Sequence, residues 1–586
     1  MGDKQIAQRF RMRAQRLSGI LPLVIKSISL RFGPTPTAAP VTLAPGHMTV
    51  FVGPNNSGKT LVLREIQSAI FDTRWPPQNL PFIPPDKRAI VSSIKVEAYG
   101  RTQLEEYVGT MSQGQRWDIL RGDNYHVPGD RAQLLLSLKQ PHSEEQATGS
   151  LSSLLRRERV CFLDGLGRLT LSGQRQAGPL NERPRSHLQS LFVDDERRSK
   201  LKQATKDALG FYVLINPTNL GQFQFCLADK LPARPELERS LGEEALAFYA
   251  GTRGMEEASD GVKAYTGILS AVLSTDFDLI LIDEPEAFLH PPLARRLGFF
   301  LTDIARERKA TVFASTHSAD FLAGCVQSGS SVDVIRLTYD QGVAGARLLS
   351  SSRLTTLMRD PLFRSTGVLS SVFYRGAIVC ESDTDRAFYS EINDRLLRFS
   401  NGGVEDSVFL NAQNWQTCAN ITAPLREMGI PAATVVDLDV LLSSDFSRLL
   451  DAASVPAITT SGLTQTRAQI KGAFERAAPA GSDAARTVKE WGISCLSGSE
   501  LEAAQNLLAQ LRKYGIFIVS VGEVEMWLRH LGISGHASRW LIPIFERIGN
   551  DPTRPGYVRP DLGDVWEFIR GVAEWIEDPH RLGMPS

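Results

Sequence analysis

Residues Gly53, Pro54, Asn55, Asn56, Ser57, Gly58, Lys59 and Thr60 space two glycines, a lysine and a hydroxyl as a phosphate-binding loop requires. Glycines let a loop curl until several backbone N–H groups point at one anion. A helix that starts at the loop's end adds its positive N-terminus. In such a loop Lys59 reaches the β- and γ-phosphates of a nucleotide, and the Thr60 hydroxyl ligates Mg²⁺. The flanks suit this reading: apolar TVFV precedes the loop and LVLREIQSAI follows it.

Two further groups belong to the same chemistry. Leu279-Ile280-Leu281-Ile282 is an apolar run ending in Asp283 and Glu284. Asp283 is expected to hold the Mg²⁺ shell, and Glu284 to polarise an attacking water as general base. One strand later, Ser315-Thr316-His317-Ser318 offers His317 to the γ-phosphate and the water. Ser259, Asp260 and Gly261 precede the helix leading to Asp283, where a serine, a glycine and a helix start could meet phosphate.

A second set of carboxylates follows. Glu381 ends the apolar run GAIVC, with Asp385 four residues on. Asp437 and Asp439 end the run ATVV, and Glu523 and Glu525 follow IFIVSV-Gly522. Open α/β sheets place ligands at the carboxyl ends of their strands. Carboxylates gathered there suit a hard cation, Mg²⁺ or Mn²⁺, and hydrolysis of a phosphate ester.

The elements that position these groups are legible as periodicity. Residues 22–52 read as strands, 58–71 as a helix, and 278–283 and 310–316 as buried parallel strands separated by a helix from Pro292. Short strands and helical pieces alternate from 90 to 235, with one helix over 187–210. A second strand–helix series begins at 375 with RGAIVCES. The stretch 441–490, rich in Ser, Ala and Thr, reads as an excursion from it. Residues 346–372 are weakly periodic.

Composition sets the frame. Lys plus Arg equals Asp plus Glu at 65 each in 586 residues, so any nucleic-acid surface must be local. Six cysteines without a CxxC pair give neither a disulfide framework nor a zinc site, which points to a reducing, cytoplasmic setting. Without an apolar run of about 18 residues, no membrane span is expected. The basic N-terminus, with Arg9, Arg11, Arg13 and Arg16, reads as a solvated arm, with a phosphate-contacting arm or transit peptide as alternatives.

The loop, Asp283-Glu284 and His317 together resemble the ABC-type ATPase heads of the RecF, Rad50 and SMC group, and Ser259–Gly261 resembles their signature segment. That resemblance implies a nucleotide shared between two heads, the signature of one completing the site of the other. No sequence for long coiled-coil arms is present. Glu381, Asp437-x-Asp439 and Glu525 resemble, in order, the acidic motifs of a TOPRIM domain. A head followed by TOPRIM is similar to the OLD family of ATP-regulated nucleases, several of which act in phage defence, the Gabija nuclease subunit among them.

The resemblance covers about residues 20–530. It implies an α/β chain with an ABC-type head over 18–345, a linker over 346–372, a Rossmann-like TOPRIM domain over 373–530 and a mostly helical region over 531–586. The ligands it implies are ATP with Mg²⁺ at the head and Mg²⁺ or Mn²⁺ at Glu381, Asp385, Asp437, Asp439 and Glu525. Its implied partners are DNA, a second copy of the chain and a separately encoded protein. Two features depart from the family: Ser382 stands where a glycine is frequent, and no lysine follows Lys513. Arg529, Arg539 and Arg547 are the cations left downstream. The alternative reading is an ATP-switched scaffold that regulates a partner. A primase or topoisomerase is disfavoured, since neither a zinc module nor a tyrosine-bearing cleavage domain is evident.

Overall fold

The structure, a computed structural model, describes residues 23–71 apart from 36, then 90–97, 159–180, 184, 186–274, 277–340, 342–349, 367–399, 402–479 and 483–585, with isolated positions 102, 156, 352, 354 and 355. The basic N-terminal arm and most of the expected alternation between 98 and 158 lie outside the described residues. The chain divides into two compact units at Thr355, with Gly53–Asn55 grouped with the second.

In the first unit, β1 (Ile25–Leu30) pairs antiparallel with β2 (Thr42–Leu43) and β4 (Val91–Val96). β3 (Met48–Val52) is buried at every residue and feeds the glycine loop, and α1 spans Lys59–Phe71. β5 (Val160–Leu163) leads into a short helix, α2 (Gly165–Thr170). α3 (Asp260–Ser274) precedes β6 (Leu279–Asp283). α4 (Pro291–Arg308) then returns the chain to β7 (Thr311–Ser315). Two prolines open α4, where a helix needs no N–H donors, and Lys309 closes it in the left-handed conformation at φ 56°.

β8 (Val332–Asp340) and β9 (Val343–Leu349) form an antiparallel hairpin that extends the sheet. The sheet order is β9-β8-β3-β7-β6-β5, parallel except for the β8–β9 pair. Its central strands are buried on both faces, which is why they read as unbroken apolar runs.

Two differences from the sequence reading have local causes. The expected helix over 187–210 is two helices, His187–Val193 and Asp195–Leu209. The Asp194 side chain breaks it by accepting from the N–H groups of Glu196 and Arg197, which caps the second helix. The expected linker from 346 begins inside β9, an edge strand whose mixed exposure hides its period.

The second unit is built on a four-stranded parallel sheet. Its strands are β10 (Gly376–Cys380), β11 (Ser407–Asn411), β12 (Ala432–Val436) and β13 (Ile516–Ile518), in the order β11-β10-β12-β13. α5 (Asp383–Phe399) follows β10, and α6 (Trp415–Glu427) follows β11. The Ser/Ala/Thr-rich excursion holds helices at Ser447–Ala452 and Ala457–Ala477 and α7 (Ala484–Trp491). α8 (Gly498–Arg512) leads into β13.

The segment after 531, read as a separate region, shares this unit's core. α9 (Ser538–Ile548) and α10 (Asp564–Glu577) bring Trp540, Ile544, Val565, Phe568 and Ile569 against Ile378, Phe388 and Val435. Buried guanidinium groups pin them there. Arg395 donates to the carbonyls of Ile548 at 3.0 Å and Val558 at 2.7 Å. Arg426 donates to those of Tyr514 at 2.8 Å and Gly583 at 2.9 Å and lies over the Trp575 ring.

Trp540 is 1% exposed and meets the Phe388 ring edge-on at 5.0 Å. Replacing it with alanine should cost about 3–5 kcal/mol of the second unit's stability. Denaturant unfolding followed by tryptophan emission checks this. A loss under about 1 kcal/mol would mean that the C-terminal helices are not part of the core.

Candidate functional site

The first centre lies at the carboxyl ends of β3, β6 and β7. Strand register sets it, because Asp283 is paired with Ser315 across β6 and β7. The loop takes backbone conformations that suit its residue types, with φ of 140° at Gly53, 60° at Asn56 and 92° at Gly58. At φ 92° a side chain at Gly58 would be strained whatever the space around it, so the turn itself requires glycine. Lys59 is buried with its ammonium 3.4 Å from Ser57 Oγ. Thr60 Oγ1 donates to Asp283 Oδ1 at 3.0 Å, and Ser315 Oγ donates to the same oxygen. The two residues expected to share Mg²⁺ are thus already in contact.

Glu284 and His317 are adjacent, with Oε1 and Nε2 3.8 Å apart and both side chains partly exposed. The His317 N–H donates to Glu286 Oε1 at 2.7 Å. Burial raises the Glu286 carboxyl above its ordinary value. Ser259 and Gly261 lie at the start of α3, Ser259 exposed, while a Cβ on Gly261 would sit 2.6 Å from the Phe288 carbonyl oxygen. One participant escaped the sequence reading. Arg168, fully buried on α2, donates to the carbonyl oxygens of Glu284 at 2.5 Å and Asp283 at 2.8 Å. No local motif marks it.

The second centre lies at the ends of β10, β12 and β13. The Asp437 N–H donates to Glu381 Oε2 at 3.2 Å. Asp385 accepts from the N–H and hydroxyl of Ser382, and its own N–H points back to Ser382 Oγ at 3.3 Å. This is a reciprocal cap on α5, which gives Ser382 a definite task.

Lys489 lies on α7, inside the excursion. Its Nζ is 3.4 Å from Asp439 Oδ2, 3.7 Å from Asp437 Oδ2 and 3.9 Å from Glu523 Oε2. A cation therefore stands among these carboxylates from a position upstream of Glu525, and spacing along the chain could not reveal it. A Cβ on Gly522, where φ is 116°, would lie 2.1 Å from the Lys489 carbonyl oxygen, so only glycine lets the β13 loop meet α7 this closely. Of the arginines considered as substitutes, Arg529 donates to the Glu490 carbonyl at 2.6 Å, and Arg539 and Arg547 are exposed on α9. His536 was also missed: its Nδ1 is 3.0 Å from Glu525 Oε1, which also accepts from the Ala537 N–H at 2.8 Å. Glu523, Glu525 and His536 each bring one ligand atom within 4.8 Å of the others.

The electrostatics follow from this crowding. Burial first, then the Asp439 and Asp385 charges, push the Glu381 carboxyl up to about 7. Burial and neighbouring carboxylates raise Asp437, Asp385 and Glu523 too. Burial works against the Lys489 ammonium, but Asp439, Asp437 and Glu523 hold it above its ordinary value. Asp437 Oδ1 and Asp439 Oδ1 are buried without a hydrogen-bond partner among the described residues. Glu381, Asp437 and Asp439 offer only oxygen, two of those atoms buried and unpaired, and so fit Mg²⁺ or Mn²⁺, whereas His536 adds a nitrogen beside Glu523 and Glu525.

Residues 48–323, less than half of the chain, match the family model described as "AAA domain, putative AbiEii toxin, Type IV TA system", an ATPase-type domain. Among solved structures, the chain is similar at 12% identity to an SMC head bound to the C-terminal winged-helix domain of ScpA, with 57% of this chain and 99% of that one covered and a TM-score of 0.34. It is similar at 12% identity to the SMC head domain from Thermotoga maritima, covering 56% and 98%, with a TM-score of 0.27. CbiO1 from Clostridium perfringens, part of an ABC transporter complex, matches at 12% identity over 57% and 93%, with a TM-score of 0.24. TM-scores of this size carry no conclusion. No curated protein matches the chain. No described helix is long and apolar enough to cross a membrane.

A carboxyl whose pKa rises on folding binds its proton more tightly in the folded form. The stability this gives is complete below the ordinary value of 4.5 and disappears as pH climbs through about 7. The cation-free protein should therefore lose melting temperature between pH 5 and pH 8, and Mg²⁺ should restore it. Glu381→Gln should flatten both effects. Scanning fluorimetry in EDTA or Mg²⁺ reads this, and a fall with pH in EDTA that Glu381→Gln leaves unchanged, or no fall in the wild type, would refute the assignment.

Proposed function

We propose that the chain binds and hydrolyses ATP through paired heads, and that this cycle governs a divalent-cation-dependent DNA endonuclease centre of the OLD type. The observation that carries the nuclease reading is the half-buried carboxylate set of Glu381, Asp437 and Asp439, with Lys489 beside the two aspartates. The scaffold alternative rests on the missing downstream lysine and on the neutral net charge; Lys489 answers the first by supplying that charge from another element, and the second stands.

In the head, the loop N–H groups and Lys59 hold the phosphates, and Thr60 and Asp283 hold Mg²⁺. Glu284 takes a proton from water while His317, 3.8 Å away, orients that water. Ser259 and Gly261 reach the nucleotide of a second copy, which makes the working unit at least a dimer. In the TOPRIM-type domain, Glu381, Asp437, Asp439 and Glu525 are the residues to hold Mg²⁺ or Mn²⁺. Asp385 supports them from the α5 cap. A cation held there lowers the pKa of bound water and offsets charge on the phosphate. Lys489 neutralises the carboxylates when the centre is empty and faces the phosphate when substrate arrives. The setting this reading implies is the bacterial cytoplasm during phage defence, with DNA and a separately encoded protein as partners.

Supercoiled plasmid with Mg²⁺ or Mn²⁺, with and without ATP, tests the nuclease. Nicking by the wild type that Glu381→Ala abolishes is the expected result. Nicking that survives in that variant would overturn the assignment, and no cleavage in any condition would hand the function to the scaffold reading. In the head, Glu284→Gln should retain ATP binding while turnover falls by about 10²–10⁴. Lys59→Ala should weaken nucleotide binding itself. Unchanged turnover in Glu284→Gln would remove that residue as the base.

A further inference from the structure

We propose that Arg168 is a positioning residue for ATP turnover: its guanidinium fixes the main chain from which Glu284 presents its carboxylate, and couples that main chain to α3. The proposal rests on the reading of Glu284 as general base.

The geometry is specific. Three N–H groups of Arg168 end on main-chain oxygens: Nη1 on Glu284 at 2.5 Å, Nη2 on Asp283 at 2.8 Å and Nε on Asp164 at 3.2 Å. Two arms of one planar fork thus hold successive carbonyls at the end of β6, and the third ties the fork to the start of its own helix. Glu284 has φ of 48°, a left-handed conformation disfavoured for a residue with a side chain. Such a conformation persists where its surroundings over-determine it. Here the Glu284 carbonyl accepts from Arg168 and from the Ala287 N–H at 2.9 Å, while the Glu284 N–H donates to the Ser315 carbonyl at 2.9 Å; Arg168 is the side chain on that carbonyl and ties it to α2.

Arg168 is 0% exposed, and its hydrogen bonds go to carbonyls while Glu286, Glu284, Asp283 and Asp164 provide the surrounding negative charge. A lysine could not reproduce the arrangement, because an ammonium is a point charge without a fork.

The second half of the proposal comes from Gly267. A Cβ there would lie 1.9 Å from the Arg168 carbonyl oxygen, so α3 rests directly on the Arg168 backbone. α3 is the helix that Ser259 and Gly261 lead into. A displacement of α3 as its N-terminal end engages nucleotide must therefore move Arg168 or be resisted by it. Arg168 in turn holds the carbonyl of the catalytic glutamate.

The test is a cycle of full-length variants: wild type, Arg168→Lys, Glu284→Gln and the double variant, with Arg168→Gln in parallel. ATP affinity, steady-state turnover and melting temperature are measured for each. Arg168→Lys and Arg168→Gln are expected to lower turnover by ten-fold or more with ATP affinity within about two-fold of wild type. Neither should lower turnover further in the Glu284→Gln background.

Three results would overturn the proposal. One is wild-type turnover in either Arg168 variant. Another is an equal loss of affinity and turnover, as a merely structural residue would give. The third is the same fractional loss of turnover with Glu284→Gln as without it. A failure of Glu284→Gln alone to slow turnover would instead strike at the general-base reading.

Discussion

Carboxylates brought together out of water repel one another and lose solvation, and each then needs a cation or a donor nearby. That constraint governs both centres of this chain. At the ends of β10, β12 and β13 the burden is greatest. Asp437, Asp439 and Glu523 share one ammonium, Lys489, while Glu525 leans on His536 and a main-chain N–H. Much of the surrounding structure serves this arrangement. Gly522 allows the close approach of α7, and the Ser382–Asp385 cap fixes the start of α5. Two oxygens, Asp437 Oδ1 and Asp439 Oδ1, still lack a partner among the described residues, so the cluster is electrostatically incomplete without a cation.

The first centre meets the same constraint with fewer charges. Asp283 is satisfied by two hydroxyls, from Thr60 and Ser315, and the burden shifts to the backbone of Glu284. There a buried guanidinium and the Ala287 N–H both donate to the carbonyl of Glu284, whose φ is left-handed. The two centres thus use cations differently. Lys489 contacts the carboxylates themselves, whereas Arg168 organises the chain that carries one.

What the sequence made legible follows from distance along the chain. The phosphate loop, Asp283-Glu284 and His317 stand out because each group is contiguous and sits at the end of a buried apolar strand. The acidic residues of the second unit were visible for the same reason. Lys489, Arg168 and His536 were not, because each reaches its partners from an element that carries no motif. Lys489 is more than 30 residues from Asp439, Asp437 and Glu523 alike, within a stretch that reads only as an excursion. The C-terminal helices were invisible as core for a related reason. Trp540 and Phe568 face a sheet whose strands lie far earlier, and their amphipathic pattern does not say which surface they cover.

Each centre is arranged to hold a divalent cation. Titration of the full-length protein with Mn²⁺, followed by electron paramagnetic resonance, tests it most directly. Bound Mn²⁺ is predicted without nucleotide and absent from an Asp437→Asn, Asp439→Asn variant. Added ATP is predicted to create a second bound population that Lys59→Ala removes. No nucleotide-independent Mn²⁺ binding by the wild type, or binding that persists in the double-asparagine variant, would mean that the carboxylates of the second centre do not form a cation site.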